Sequence, residues 1–231
     1  MSEGNERGDG GFVMPRRTVA HSDLVYDRSV LDLPFALDHV VALVPIRGLE
    51  GAKARLGEAL DAEERRALVE RLLDGTVAAA LATPGVVAVA VVSPDPEALA
   101  RAERLGAHGI PQGGGGLNEG LAEGRAWAEE AGAEAVLVVP GDLPAVTGAE
   151  LARVVGGARA LAASQAAGDG APALVALVTD RARTGTNVLL VVPPRAIPFR
   201  FGEGSRAAHA DAARRAGATY LEIGGPLALD L

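Results

Sequence analysis

Residues 39–56 read HVVALVPIRGLEGAKARL, and the parsing of this stretch decides the fold. Val40 to Val44 is an apolar run too short for most helices and too continuous for a strand with one wet face. It predicts a strand covered on both faces, as in parallel sheets. Pro45 has no N–H for a sheet ladder, so the strand is expected to end there. Arg47, Gly48, Gly51, Lys53 and Arg55 follow, with Glu50 as the sole acid among them. Ligands of open α/β sheets bind just past the carboxyl ends of the strands. Three cations with two glycines suit a polyphosphate, because bare backbone can approach it while the side chains neutralise its charge. A solvated loop accounts for the same residues, since Lys and Arg are mostly exposed.

Outward from this stretch the pattern repeats. Asp61 with Glu64 forms a capping-box signature, and Leu68, Val69, Leu72, Leu73, Val77, Ala80 and Leu81 recur at helical spacing. Pro84-Gly85 stops that helix, and Val86 to Val92 is a second buried strand. Asp95-Pro96 caps a short helix ending near Gly106. Four glycines after Gln112 lead into a helix reaching about Ala131, and Ala135 to Val139 is a third strand. Thr147 with Glu150 caps the next helix. Leu174 to Val178 and Val188 to Val192 are strands four and five, separated by too few residues for a helical crossover, so one of the two is expected to be antiparallel. A last helix, Arg206 to Ala216, precedes a final strand, Thr219 to Ile223. Strands alternating with helices predict an α/β fold in three layers, a mainly parallel but mixed sheet with helices on both faces. Residues 1–38 are polar, Gly-rich and without periodicity; they read as an N-terminal extension, disordered or laid on the surface, and residues 39–231 as one domain.

Composition narrows the chemistry. The chain has no cysteine, which excludes disulfides, thiolate metal sites and cysteine nucleophiles. Its four histidines show no zinc-binding spacing. A formal net charge of −8 argues against non-specific binding to nucleic acid or anionic membrane. No run reaches the apolar length of a membrane span, and the N-terminus lacks a signal-peptide core, so a soluble, cytoplasmic protein is expected.

Three further stretches could carry chemistry. Pro140-Gly141-Asp142-Leu143-Pro144 holds a carboxylate in a stiff turn at a strand's carboxyl end. Mg²⁺ in phosphoryl-transfer sites is held by one or two such carboxylates plus substrate phosphates, although Asp is also a common turn residue. The tract QGGGGLNEGL, 112–121, has neither GxGxxG nor Walker spacing. It offers bare backbone for a flat ligand and an amide at Asn118, or serves as a plain connector. Asp180 to Asn187 combines cations, hydroxyls and glycine after a strand, as a phosphate loop does. The segment Phe201-Gly202-Glu203-Gly204-Ser205 opens a helix whose free N–H groups form an anion site, with Ser205 as a plain N-cap the alternative.

Taken in order, VPIRGLEGAKARL, PGDLP, DRARTGTNVLL and FRFGEGSRAAH resemble the CofC/FbiD family of phospho-acid guanylyltransferases, over roughly Val40 to Leu231. The resemblance implies a Rossmann-like nucleotidyltransferase fold similar to molybdopterin guanylyltransferase. It also implies transfer of GMP from GTP to 2-phospho-L-lactate, phosphoenolpyruvate or another phosphorylated three-carbon acid such as 3-phosphoglycerate, on the route to coenzyme F-420, with Mg²⁺ at the site and the product passed to a following transferase. Carried over by residue, Arg47, Gly48, Lys53 and Arg55 resemble the triphosphate loop, and Gly116, Leu117 and Asn118 the nucleoside-side segment. Thr186, Gly202 and Ser205 resemble the acceptor-phosphate groups, and Asp142 and Asp230 the metal carboxylates. Arg47, Lys53 and Asp142 carry the catalytic roles. The chain departs from the family pattern at Arg47, where lysine is usual, at Gln112, where an acid is common, and at its end, Leu229-Asp230-Leu231, where the family continues. Rival readings are a sugar-1-phosphate or molybdopterin nucleotidyltransferase, a dinucleotide-binding oxidoreductase whose fingerprint is missing, and a silent nucleotide-binding module.

Overall fold

A computed structural model of the chain describes residues 37–49, 60–165 and 173–229. Within them the order is β1 (Val40–Pro45), α1 (Ala62–Leu81), β2 (Val86–Ser93), α2 (Pro96–Arg104), β3 (His108–Pro111), α3 (Leu117–Glu130), β4 (Ala135–Val138), α4 (Gly148–Gln165), β5 (Leu174–Thr179), β6 (Thr186–Val192), α5 (Ser205–Arg215), β7 (Thr219–Glu222) and a 3₁₀ turn, Pro226–Ala228. The strands form a single sheet in the order β3-β2-β1-β4-β6-β5-β7. β6 runs antiparallel to its neighbours β4 and β5, and the other pairings are parallel. The short β5–β6 connection therefore reverses the chain, as its length requires.

The first strand sits near the middle of the sheet, and every one of its residues is buried. Its side chains alternate between two cores. Val40, Ala42 and Val44 pack with Leu73 and Val77 of α1 and Leu151 and Val155 of α4. Val41 and Leu43 pack on the opposite face with Leu121 and Ala128 of α3 and Ala212 and Ala213 of α5. Two apolar faces on one strand are why its sequence is a continuous run rather than an alternating one. The architecture is three layers, as the sequence predicts.

Local signals hold at the helix starts. Asp61 Oδ1 accepts the Glu64 N–H and Glu64 Oε2 accepts the Asp61 N–H, both at 2.9 Å, closing the capping box of α1. Asp95 caps α2 with Pro96 in its first turn, and Thr147 Oγ1 accepts the Glu150 N–H at the start of α4.

Two features go beyond the sequence reading. β3 is a strand that the sequence pattern does not reveal: His108-Gly-Ile-Pro111 is four residues long, carries Gly and Pro, and pairs only with β2, so one edge is open and no apolar run is needed. The last two residues of the span read as an extension, Leu37 and Asp38, have partners in the domain. Leu37 is fully buried, its carbonyl accepts from Arg159 Nη2, and Asp38 pairs with the same guanidinium. The remainder of the extension, residues 1–36, lies outside the described residues.

Candidate active site

The turns at the carboxyl ends of β1, β2 and β4 and the first turn of α3 enclose a cleft of about 720 Å³. Ile46 and Arg47 line it from β1, Pro140, Gly141 and Asp142 from β4, Gly115, Gly116 and Leu117 from α3, and Phe201 from the segment before α5. Five of the sequence candidates and their flanking glycines thus trace to one edge of the sheet: Arg47, Gly116, Leu117 and Asp142 on the wall, with Gly48 adjacent. Arg47 and Asp142 are both exposed there. Lys53, Arg55 and Asp230 lie outside the described residues.

The backbone just after Arg47 is anchored by a residue whose sequence signal shows only a helix cap. Asp95 Oδ1 accepts the Glu97 N–H at 2.9 Å, and its Oδ2 accepts the Leu49 N–H, also at 2.9 Å. One carboxylate therefore starts α2 and ties down the loop two residues past Arg47. Burial pushes this carboxyl up, but hydrogen bonds from Leu49, Glu97 and Ala98 outweigh it, and the net shift is downward from the ordinary carboxylate value. Gly48 between them has φ +155°, and a Cβ there would stand 3.1 Å from Asp95 Oδ2. The close tie requires glycine.

The glycine tract is held rather than slack. Gln112 Nε2 lies within 3.0–3.3 Å of the carbonyls of Gly114, Gly115 and Gly116 and donates to them. Glu119 Oε2 accepts the Gly116 N–H at 3.0 Å. An acid at position 112 could not donate to carbonyls, so the departure noted in the sequence shapes this loop. Asn118, placed on the nucleoside side by resemblance, uses its amide otherwise: Oδ1 accepts the Phe201 N–H at 2.8 Å and Nδ2 donates to the Phe201 carbonyl at 3.0 Å. It clamps α3 to the segment that carries Phe201 into the cleft.

The acceptor-side candidates also meet at the carboxyl edge. Because β6 is antiparallel to β4, with Leu189 opposite Val138, its first residues lie beside the Pro140–Asp142 turn. The 180–186 loop is closed on itself: Asp180 Oδ1 accepts the Thr184 N–H at 2.8 Å and Oδ2 accepts the Thr184 hydroxyl at 3.2 Å. Arg183 and Arg206 both pair with Glu222. The Thr184 N–H and hydroxyl and the Arg183 guanidinium are thus engaged by carboxylates, and Thr186, at the end of the loop, turns to His209 instead. At the start of α5 the N-cap is Gly204, in the left-handed conformation, and Ser205 is the first helical residue, buried. This corrects the plain-cap alternative for Ser205. The Ser205 N–H donates to the Gly202 carbonyl and the Arg206 N–H to the Thr184 carbonyl, both at 3.1 Å, so two of the first-turn donors have protein partners.

Thr186 is buried, and its Oγ1 lies 3.0 Å from His209 Nδ1. His209, fully buried, accepts the Arg200 N–H on Nε2 at 2.9 Å. Burial, with Arg200 nearby, pushes its pKa down to about 4. Asn187 Nδ2 donates to the Leu227 carbonyl at 2.9 Å, fastening the 3₁₀ turn to β6. Asp95, Gln112, Asn187, Phe201 and His209 shape the site through partners that motif reading did not assign to them. The spacing of Ser205 and His209, i and i+4 on one helix face, is the signal that could have flagged the last.

Comparison with known proteins adds the following. Residues 40–222 match the family model described as guanylyl transferase CofC like. The chain is 45% identical over 178 residues to a phosphoenolpyruvate guanylyltransferase of Rubrobacter xylanophilus, covering 77% of this chain and 81% of that protein. It is 43% identical over 183 residues to a phosphoenolpyruvate guanylyltransferase of Sphaerobacter thermophilus, covering 79% and 83%. Among solved structures, a nucleotidyl transferase from Methanothermobacter thermautotroptrophicus superposes with a TM-score of 0.59 at 19% identity, over 84% of this chain and 91% of that one. That likeness bears on the fold.

Proposed function

Because the chain belongs to the CofC-like guanylyl transferase family, we propose that it joins the GMP part of GTP to phosphoenolpyruvate, releasing pyrophosphate, in coenzyme F-420 biosynthesis. The observation that carries this reading is the cleft at the carboxyl ends of β1 and β4, where Arg47 and Asp142 face bare glycine backbone. The acceptor follows the names of the relatives at 45% and 43% identity. 2-Phospho-L-lactate and 3-phosphoglycerate also present a phosphate and a carboxylate on three carbons, and they are the comparison substrates.

A phosphate oxygen of the acceptor attacks the α-phosphorus of GTP as the bond to pyrophosphate breaks. A phosphomonoester's second pKa is near 6, so that oxygen is already largely ionised at neutral pH. No general base is needed, which accords with His209 being buried with both ring nitrogens engaged. Catalysis then consists of aligning two anions and neutralising charge on the leaving oxygens. Arg47, with Lys53 and Arg55, takes the pyrophosphate side. Gly116 and Leu117 offer bare backbone and an exposed apolar side chain to the nucleoside. Thr186, Gly202 and Ser205 take the acceptor side.

Mg²⁺ fits the donors. It is a hard cation that binds through one or two carboxylates plus substrate phosphates, and Asp142 puts one exposed carboxylate on the wall. Asp142 would hold the ion together with the substrate's phosphate oxygens, and Asp230 is the second carboxylate that the family resemblance implies. When bound, Mg²⁺ supplies Lewis-acid neutralisation of the phosphates.

The test is pyrophosphate release from GTP with phosphoenolpyruvate, 2-phospho-L-lactate and 3-phosphoglycerate in parallel. Release with phosphoenolpyruvate is expected, and the product is passed to a following transferase. GTP binding without release for any of the three acids would refute the reading. No helix among the described residues is long and apolar enough to cross a membrane.

A further inference from the structure

The one fully buried histidine among the described residues sits at the junction of the acceptor side and the cleft wall. His209 has two ring nitrogens, and a backbone donor decides the role of one. The Arg200 N–H can only donate, so Nε2, 2.9 Å away, must accept and carries no proton. A neutral ring then has its proton on Nδ1, which faces Thr186 Oγ1 at 3.0 Å. The ring is therefore the donor in that pair and the threonine oxygen the acceptor. A hydroxyl that accepts keeps its own proton for another partner. Thr186 retains a small exposed fraction, 8%, at the sheet edge beside the Pro140–Asp142 turn.

We propose that His209 is a positioning residue for the acceptor: its Nδ1–H fills the lone pair of Thr186 Oγ1, so that the hydroxyl proton is left to donate to the acceptor's anionic phosphate. The other tautomer would reverse this, turning the threonine proton inward toward the ring and an oxygen lone pair toward the anion. The same ring holds the wall of the cleft. By accepting from Arg200 it fixes the backbone one residue before Phe201, and Phe201 rests edge-on against the ring with centroids 5.0 Å apart. Asn118 fixes the other side of that residue. A ring with a pKa pushed down to about 4 stays neutral, and keeps this polarity, across the physiological range.

The proposal rests on the guanylyltransferase reading for its kinetic consequence, but its first test does not. In protein labelled with ¹⁵N-histidine, two-bond proton–nitrogen spectra report which ring nitrogen is protonated, and the resonance missing in His209→Gln assigns the ring. A pyridine-type Nε2 and a pyrrole-type Nδ1 are expected; the reverse overturns the proposal whatever the enzyme does. The kinetic test uses variants that separate the two nitrogens. A glutamine oxygen reaches the Nε2 position and can accept from Arg200, while an asparagine amide stands near Nδ1 and can donate to Thr186. His209→Gln is expected to raise the phosphoenolpyruvate KM about tenfold with GTP KM unchanged, and His209→Asn to lower the melting temperature with a smaller effect on that KM. Thr186→Val, which keeps the shape and removes the donor, should raise the phosphoenolpyruvate KM about 10–100-fold, with Thr186→Ser restoring it. The His209→Gln/Thr186→Val double variant should be no worse than Thr186→Val alone, because both remove one interaction. Additive losses, or equal losses for both substrates, mean that His209 only supports the fold and refute the proposal. Should the His209 variants not fold, the Thr186 pair decides: a wild-type phosphoenolpyruvate KM in Thr186→Val overturns it. If wild-type protein releases no pyrophosphate with any acid, the functional reading fails, and the tautomer result still stands or falls alone.

Discussion

Replacing Asp95 with Asn tests whether the cationic loop is held from a distance. Asn ranks with Asp as an N-cap, so the start of α2 should survive the change. What the amide cannot do is accept at both positions. One carboxylate takes the Glu97 and Leu49 N–H groups on separate oxygens, each at 2.9 Å, whereas Asn has one oxygen and an NH₂ that donates. With the cap retained, the Leu49 N–H is left facing a donor. A hydrogen bond to a charged group contributes roughly 1.5–3 kcal/mol. Asp95 is only half-buried, so solvent screening places the loss at the lower end, about 1.5–2 kcal/mol. For a chain of this size that lowers the melting temperature by about 3–8 °C. If the lost tie is felt entirely as release of the Arg47 loop, GTP affinity falls by no more than about 10–30-fold. The acid dependence carries the same signature. A carboxyl depressed in the fold contributes stability above its unfolded value, near 4, and loses it as pH falls through the folded value. The variant should lack that component. Thermal melts and GTP titration, read together, decide. A variant that melts and binds GTP like the wild type would show that Asp95 merely caps α2.

Further outcomes follow from the same geometry. Asp142→Asn should leave the melting temperature within a degree or two, because the side chain is exposed in a turn, while pyrophosphate release drops about 10²–10³-fold; Mg²⁺ titration of both proteins should show the variant needing more metal, and normal turnover would remove Asp142 from the metal site. Lys53→Ala should weaken GTP binding and lower kcat together, leaving GMP affinity nearly unchanged, since charge builds on the pyrophosphate oxygens as they leave; a rise in KM alone would limit Lys53 to collecting substrate. His209 has the same sign as the depressed Asp95 carboxyl, because both bind their proton more tightly in the unfolded chain. With a folded pKa of about 4 against about 6.5 unfolded, the unfolded chain binds the extra proton, so stability falls as pH drops from 6.5 toward 4, by about 3 kcal/mol in all. Urea melts across that range should show the slope in wild type, and a flat profile would contradict the neutral buried ring.

The sequence alone determined those features whose causes are local. Continuous apolar runs such as Val40–Val44 specify strands buried on both faces, because a side chain every second residue must find a core on each side. Asp61 with Glu64, Asp95 before Pro96 and Thr147 before Glu150 specify helix starts, because the orphan N–H groups they serve are two or three residues away. The few residues between Val178 and Val188 compel an antiparallel return. Arg47 and Asp142 are legible as edge residues because each follows the carboxyl end of such a strand. Tertiary structure decided everything whose partner is remote. β3 exists because β2 offers it a ladder, not because HGIP prefers to be extended. The order β3-β2-β1-β4-β6-β5-β7 brings Thr186 beside the Asp142 turn, 44 residues away in the chain. Asp95 reaches Leu49 across 46 residues, and Asn118 reaches Phe201 across 83. A capping carboxylate, an amide and a histidine each have more hydrogen-bonding capacity than their neighbours in sequence can satisfy. Only packing fixes which distant donor or acceptor takes the remainder, and that choice separates the residues that shape the cleft from those that merely begin a helix.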